Sequence, residues 1–348
     1  MSYSILKADL RKDKEDISQF WKNNFSNWPQ GKYLWFYENN PYGPAECWIV
    51  KEAKKNMIVG STAVFPRRFL IKGKFMIGGI TGDFGMDRNY RILGPALQLQ
   101  KATLPSQNET QFDFLYGYPN DRSEPVQRRA GFRIVGSTYR MIKLLRSNNY
   151  VKRRVNLPIL TKLLSKPVDL ILKVLSKESY FKRPKHFSVE ELSVFDKRFD
   201  DLWKRTSADH TVIGERTSEF LNWRFARCPY KRFTVFALTK KGTGELLGYI
   251  VYYVKKNRAH IADIFALNIS GYIDALLSEF FLSQRKKGYD AVSIIYLGNE
   301  DLVNKLKEYK FSIRDDNRKI VAYMDSTSPL SSFILEKKNW YLTEADND

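Results

Sequence analysis

Two stretches of the chain repeat one another at a fixed distance, and this constrains the fold more than anything else in the sequence. Trp35 and Trp223 each stand six residues before a Pro-Tyr pair, Pro41-Tyr42 and Pro229-Tyr230. Each proline stands 19 residues before a glycine, Gly60 or Gly248, that closes a run of two aliphatic residues. These landmarks are all offset by 188 residues. A shorter hairpin in the second copy then sets Asp83 against Asp263, an offset of 180, and Gly131-Phe132 against Lys310-Phe311. Landmarks that keep their spacing over such a length indicate an internal duplication. Residues 1–142 form the first copy, 143–185 a basic linker, 186–326 the second copy and 327–348 a polar tail. A length of 348 residues lets each copy bury a core of its own.

Within the first copy, the stretch from Ile80 to Leu97 carries the most chemistry. Ile80 to Met86 reads as a buried strand with a carboxylate, Asp83, in its middle. A polar turn follows at Asp87, Arg88 and Asn89, and a glycine-containing loop then enters an apolar-periodic segment with Leu93, Ala96, Leu97 and Leu99. Strand, tight loop and helix start together aim free backbone N–H groups at an anion. Gly94 and Ala96 let the backbone approach such an anion closely, and Pro95 suits the first helical turn, where its missing N–H costs nothing. Around this stretch the pattern predicts a helix within 13–40, strands at 47–51 and 58–65, and a hairpin over 69–77. A helix from 95 to about 104, a strand at 112–118 and a short helix ending at Gly131 come next, then strands at 133–135 and 139–144.

Arg91-Ile92-Leu93-Gly94-Pro95-Ala96 resembles the Arg/Gln-x-x-Gly-x-Gly/Ala signature of the GNAT acyltransferases, and the run from Asn120 to Gly131-Phe132 resembles the second signature of that family. The resemblance covers 15–326 apart from the linker. It implies an α/β (α+β) chain of two GNAT-like domains, each a mixed, mostly antiparallel twisted sheet flanked by helices. It further implies an acyl-CoA-dependent N-acyltransferase that uses acetyl-CoA or another acyl-CoA and no metal. In that chemistry an amine attacks the thioester directly, and the enzyme supplies proximity, a base and oxyanion stabilisation. By resemblance, the backbone of Phe84, Gly85 and Met86 pairs with the pantetheine arm, while Arg91 and the loop Ile92, Leu93, Gly94, Pro95, Ala96 take the pyrophosphate. Asn120 matches a position that bonds the cofactor arm, and the thioester enters a splay between the strands at 80–86 and 112–118. Asp83 is the candidate base; its alternative is a structural carboxylate at the strand edge. Gln127 stands where the family often has a tyrosine acid, and Tyr116 and Tyr118 are the nearby phenols. At the offset of 180, Arg91, Gly94 and Ala96 become Gly271, Asp274 and Leu276. A carboxylate repels pyrophosphate and a leucine fills the approach, so the second copy is expected to keep the fold and lack the site.

Charge adds a partner question. Lysine and arginine exceed the acids by 20, and half of that excess lies in 143–185, where twelve basic residues face only Asp169 and Glu178. Such a concentration attracts anions. Leu160, Leu163, Leu164, Leu170, Ile171, Val174 and Leu175 recur there at helical spacing among Lys162, Lys166, Lys173 and Lys177, with Pro158 and Pro167 making one kinked helix or two short ones. Two readings stand open. The leucine face packs against both domains as a strut, or, flanked by Lys152-Arg-Arg154 and Lys182-Arg183, it docks on an anionic membrane surface and brings the site to a lipid-linked acceptor. The first residues lack an apolar signal core, and no run approaches the roughly 20 apolar residues of a spanning helix. Cys47 and Cys228, with three scattered histidines, show neither zinc spacing nor a disulfide framework, so a cytoplasmic protein, at most peripheral at a membrane, is expected. Three functional readings follow. The first is an N-acyltransferase acting on a small-molecule amine or amino-sugar acceptor, as in surface-polysaccharide assembly. The second is a Fem-like aminoacyl-tRNA-dependent transferase, whose nucleic-acid partner the charge suits but which needs no acyl-CoA loop. The third is a non-catalytic CoA-binding or interaction module, which Gln127 and the altered second copy favour.

Overall fold

The computed structural model describes residues 3–25, 28–54, 57–91, 93–105, 110–147, 158–267, 271–314 and 318–348, with the backbone alone described over 158–165. The first copy opens with strand β1 (Tyr3–Lys7) and helix α1 (Lys14–Asn24), whose Ile17, Phe20 and Trp21 recur at helical spacing and are buried. Strands β2 (Glu46–Glu52), β3 (Met57–Ile71) and β4 (Lys74–Met86) form an antiparallel meander. Its second turn, Lys72-Gly73, has both residues at positive φ, as a two-residue hairpin requires. Helix α2 (Leu93–Lys101) crosses to β5 (Phe114–Gly117), which joins β4 in parallel, and helix α3 (Glu124–Ala130) leads to β6 (Arg133–Ser137). Strand β7 (Tyr139–Leu144) and linker helix α4 (Pro158–Val174) follow.

The second copy repeats this plan with β8 (Phe187–Leu192), α5 (Lys197–Thr206), β9 (Val212–Gly214), α6 (Ser218–Leu221), β10 (Thr234–Lys240), β11 (Leu246–Lys255) and β12 (Arg258–Ala266). Helix α7 (Ile273–Lys287), β13 (Ala291–Gly298), α8 (Glu300–Glu308), β14 (Ser312–Arg314), β15 (Lys319–Tyr323) and β16 (Trp340–Leu342) complete the chain. Its hairpin turns at Lys256-Asn257, also both at positive φ. Each strand of that hairpin is thus about four residues shorter than in the first copy, which accounts for the change of offset from 188 to 180. Trp35 Nε1 donates to the Trp223 carbonyl at 2.8 Å, and Trp223 Nε1 donates to the Trp35 carbonyl at 3.1 Å. The repeated tryptophans therefore meet each other across a pseudo-two-fold axis.

Neither sheet is closed by its own strand. β7 pairs antiparallel with β13, Ile142 opposite Ser293, and with β14. β15 pairs antiparallel with β5, Ala322 opposite Tyr116, and with β6. The sheets run β1-β2-β3-β4-β5-β15-β6 and β8-β10-β11-β12-β13-β7-β14, equivalent strand for strand, with the sixth strand exchanged. The expected boundary at residue 142 falls inside β7. Alternation of apolar residues cannot reveal the exchange, because the same pattern fits either copy's sheet.

The segment 327–348, expected as a polar tail, is a seam in the core. β16 pairs with the end of β13, Leu297 opposite Leu342, and in parallel with β9, which pairs antiparallel with the far end of β3, Ile213 opposite Leu70. Trp340, Tyr341, Leu342, Ala345 and Asp346 are all buried. A few apolar residues are lost in the average of a charged segment, yet each such side chain contributes about 1.5–3 kcal/mol when buried.

The linker departs from the strut reading over its described residues. Asp169 accepts from the Ser147 amide, Ser176 is buried, and Arg285 Nη2 donates to the Leu172 carbonyl at 3.2 Å, so this edge of the helix meets the protein. Leu170, Ile171, Val174 and Leu175 are exposed. The side chains of Leu160, Lys162, Leu163 and Leu164, and Lys152 to Arg154, lie outside the described residues.

Candidate functional site

Strand β4 organises the site. Its pairing with β5 runs from Gly78–Phe114 to Thr81–Gly117 and stops there, while β4 continues to Met86 held by β3 on its other edge. The strands meet closely at the last pair because residue 117 is glycine: a Cβ there would collide with Thr81 Oγ1. Past this point β4 has no partner on this edge among the described residues, the place where the splay is expected. On the same stretch Gly82 pairs with Ala63 and Gly85 with Ser61, so Asp83 and Phe84 oppose the single residue Thr62. This is a β-bulge, and Asp83 adopts a φ of +47°, a conformation that costs a non-glycine residue on the order of 1 kcal/mol.

The bulge turns Asp83 toward the sheet face covered by α1. Lys32 Nζ donates to Asp83 Oδ1 at 2.7 Å, and the Tyr37 hydroxyl donates to Oδ2 at 2.9 Å. Lys32 also reaches Asp348 Oδ2 at 3.3 Å. Exposure separates the two carboxylates, 9% for the Asp83 side chain against 21% for Asp348. Burial alone would lower the Lys32 pKa, but Asp83 and Asp348 outweigh it and hold the ammonium above its usual value. Burial first, and then Asp83, push the Tyr37 hydroxyl well up, so it remains a donor. Asp83 is thus in the predicted place with both oxygens engaged, and neither Lys32 nor Asp348 carries a sequence signal. One is a lysine among 58 basic residues, and the other belongs to a charged tail.

The stretch expected to hold phosphate forms a turn and a helix start. Asp87 accepts from the Asn89 amide at 2.9 Å and starts a short 3-10 turn, Arg88–Tyr90, before α2 begins at Leu93. Leu93 and Gly94 are exposed, Pro95 is half-buried and Ala96 is buried. A Cβ on Gly94 would have no heavy atom within 4 Å, so the helix start opens on free space. Arg91 is exposed and folds back, its Nε donating to the Met86 carbonyl at 3.3 Å. Ile92 lies outside the described residues. Phe84 and Gly85 are half-buried and Met86 buried, and Phe25 lies over Gly85. Asn120 is exposed, and its Oδ1 accepts from the amides of Arg122 and Ser123, both at 3.0 Å, where it starts α3.

The phenols divide by role. Gln127 is buried, with Nε2 donating to Thr81 Oγ1 at 3.3 Å and Oε1 lacking a hydrogen-bond partner among the described residues. Tyr116 donates to the Asp346 carbonyl at 2.9 Å and is committed to the tail. Tyr118, one residue beyond the last β4–β5 pair, has a buried hydroxyl without a partner among the described residues. Burial, and next Asp346, push it well above its ordinary pKa, so it stays protonated. It lines a cleft of about 210 Å³ between the two copies, with Arg224, Tyr230, Tyr253, Glu344 and Asp348. The gap in the first sheet therefore lies between the open start of α2 on one side and this cleft on the other. Of two larger grooves, the one beside Arg11 reaches Tyr37, and the one beside Lys286 touches none of these residues.

In the second copy α7 begins at Ile273, the equivalent of Leu93, but the equivalent of Gly94 is Asp274. That carboxylate is held by Lys177 at 3.0 Å, Lys305 at 3.2 Å and the Tyr309 hydroxyl at 3.1 Å. The positive end of the helix meets a carboxylate of its own. Asp263, matching Asp83, is fully buried and bonded to Tyr249, Thr343 and Arg216. Among the described residues no group of three or more His, Cys, Asp or Glu is arranged to hold a metal, and no helix is long and apolar enough to cross a membrane.

No protein-family model matches the chain, and no curated protein matches it either. Solved structures do. A conserved protein from Enterococcus faecalis, named as a probable N-acyltransferase, aligns at 13% identity over 93% of this chain and 72% of its own, with a TM-score of 0.65. A GCN5-related N-acetyltransferase from Anabaena variabilis aligns at 14% identity over 93% and 73%, with a TM-score of 0.65. A tandem GNAT protein from the clavulanic acid biosynthesis pathway aligns at 11% identity over 94% and 100%, with a TM-score of 0.55. At such identities the likeness establishes the fold: a tandem arrangement of the GNAT kind across nearly the whole chain.

Proposed function

We propose that this tandem GNAT-fold chain is an acyl-CoA-dependent N-acyltransferase whose working site lies in its first copy. The observation that carries the reading is a β4–β5 pairing that ends at Gly117 while β4 runs on to Met86, beside a helix start that Gly94 leaves open. Acetyl-CoA or another acyl-CoA fits these features: the amides at the start of α2 and Arg91, once released from Met86, would hold the pyrophosphate. The edge of Phe84 to Met86 that β5 leaves unpaired would receive the pantetheine arm, with Asn120 at its side. The bulge leaves one backbone N–H of Asp83 and Phe84 out of the ladder, a donor for the oxygen on which negative charge gathers as the thioester is attacked. The acceptor enters from the cleft on the opposite face. Its tyrosine rings, the Glu344 and Asp348 carboxylates paired with Lys231 and Lys32, and Arg224 and Arg318 offer a small amine or amino sugar aromatic faces and polar groups of both signs. Asp83 takes the proton through water, since Lys32 and Tyr37 occupy both of its oxygens. Tyr118 supplies the donor that Gln127 does not, with its unpartnered hydroxyl next to the opening.

The test of the reading is Gly94→Asp, which installs the residue of the second copy. The side chain enters free space, so the fold survives, while a negative charge at the helix start opposes the pyrophosphate. Calorimetry should show coenzyme A affinity lowered about 100-fold, roughly 2.7 kcal/mol. Unaltered affinity would remove the reading. Stabilisation by charged tRNA but not by acetyl-CoA would replace it with the aminoacyl-tRNA-dependent alternative.

Tyr118→Phe gives a separate result. Turnover should fall about 10- to 100-fold, at the low end of general-acid catalysis, while KM for acetyl-CoA stays constant. Unchanged turnover would return Tyr118 to a packing role.

A further inference from the structure

We infer that the outward face of the linker helix α4 is a docking surface for an anionic lipid bilayer. Over 166–174 the helix is turned the opposite way from a helix that packs on a core. Its protein-facing edge consists of Asp169, the Leu172 carbonyl and Ser176, spaced at i, i+3 and i+7 and held by Ser147, Arg285 and Lys143. Its apolar edge faces solvent: Val168, Leu170, Ile171, Val174 and Leu175 are between 41% and 63% exposed. Large apolar residues gathered on one helix face are covered in the working state of most proteins. The described chain offers them no cover.

Charge decides what covers them. Lys166 and Lys173 stand on the helix with the stripe, and Lys182 and Lys185 follow it in the chain, all exposed and none in an ion pair among the described residues. Half of the net excess of 20 positive charges falls within 143–185. A second copy of the chain meeting this face across a two-fold axis would set these lysines against their own equivalents, which repel. An anionic bilayer accepts both parts of the pattern, the apolar stripe at the acyl boundary and the lysines among the headgroups. The 17 residues of the helix, interrupted by Pro167, suit lying in that plane, consistent with the absence of a spanning helix among the described residues. This surface does not rest on the acyltransferase reading, and its test reads lipid binding alone.

The experiment is co-sedimentation of the full chain with vesicles of phosphatidylcholine alone and of phosphatidylcholine mixed with phosphatidylglycerol. Binding is expected to the mixed vesicles only, and to weaken as salt rises. Lys166→Gln and Lys173→Gln should each lower partitioning about fivefold. Ile171→Glu with Leu175→Glu should lower it at least tenfold with the melting temperature unchanged, because these side chains touch solvent. The inference is overturned if the protein stays in the supernatant at low salt, if neutral vesicles bind it equally, or if the double glutamate variant binds as before. It is also overturned if sedimentation velocity finds a dimer that this variant dissolves, which would make the face a contact between copies.

Discussion

Replacing Asp346 with alanine should lower the stability of the whole chain by about 3–5 kcal/mol, the usual loss when one partner of a buried ion pair is removed. Asp346 is completely buried. Its Oδ1 accepts from Arg67 Nη2 at 3.1 Å and Arg216 Nη1 at 2.7 Å, and its Oδ2 from Arg216 Nη2 at 2.6 Å and the Thr343 amide at 3.1 Å. Arg67 belongs to the first copy and Arg216 to the second, so a single carboxylate in the closing segment neutralises one guanidinium from each. Without it Arg67 keeps the Glu215 carbonyl and Arg216 keeps Asp263, which leaves more positive than negative charge in the interior. Urea unfolding monitored by tryptophan fluorescence would measure the loss. A change below about 1 kcal/mol would mean that water reaches the two guanidinium groups. The same carboxylate sets an acid limit. Burial alone would raise its pKa, but Arg216 and Arg67 outweigh burial and hold it below its usual value. Its stabilisation is therefore complete above the unfolded carboxylate pKa of about 3.9 and is lost as pH falls through the lower native value.

Asp83→Asn should lower turnover by about two to four orders of magnitude, the usual worth of a general base. Coenzyme A affinity should hardly move, because Asp83 faces α1 while the start of α2 lies on the other side of the sheet. Asparagine still accepts from Tyr37 through its oxygen, and Lys32 retains Asp348, so a melting curve near that of the native protein is expected. Full activity at every pH would assign Asp83 a different duty, that of counter-ion to a buried lysine.

The features legible in the sequence were those set by local spacing. The 180 offset predicted for Asp83 and Asp263 holds at the helix starts, Leu93 and Ile273, and the left-handed caps, Gly131 and Lys310, follow at an offset of 179. The turn into α2 was legible because small residues, a proline and an apolar period occur together within a few positions. Helix α2 begins two residues before the predicted start, at Leu93, since Gly94 precedes Pro95 within the same first turn. What could not be read was long-range partnership. Lys32 meets Asp83 across 51 residues and Asp348 across 316, and no period links them. The outward turn of α4 is likewise invisible, because an amphipathic pattern states that a helix has two faces and not which one the protein takes.

The exchange of β7 and β15 also has a consequence for synthesis on the ribosome. The first sheet ends its local growth with β5 at Gly117, and the strand that flanks β5 begins only at Lys319, about 200 residues later. At roughly 5–20 residues per second, the nascent first domain waits roughly 10–40 seconds with the edge of β5 unpaired. During that interval β7 has likewise been made without β13. An unpaired edge rich in Phe114, Leu115 and Tyr116 is a template for wrong pairing. The folded chain has no such edge at β5, so its exposure to aggregation belongs to the time of translation, when chaperones act, and ends when the last strands emerge together.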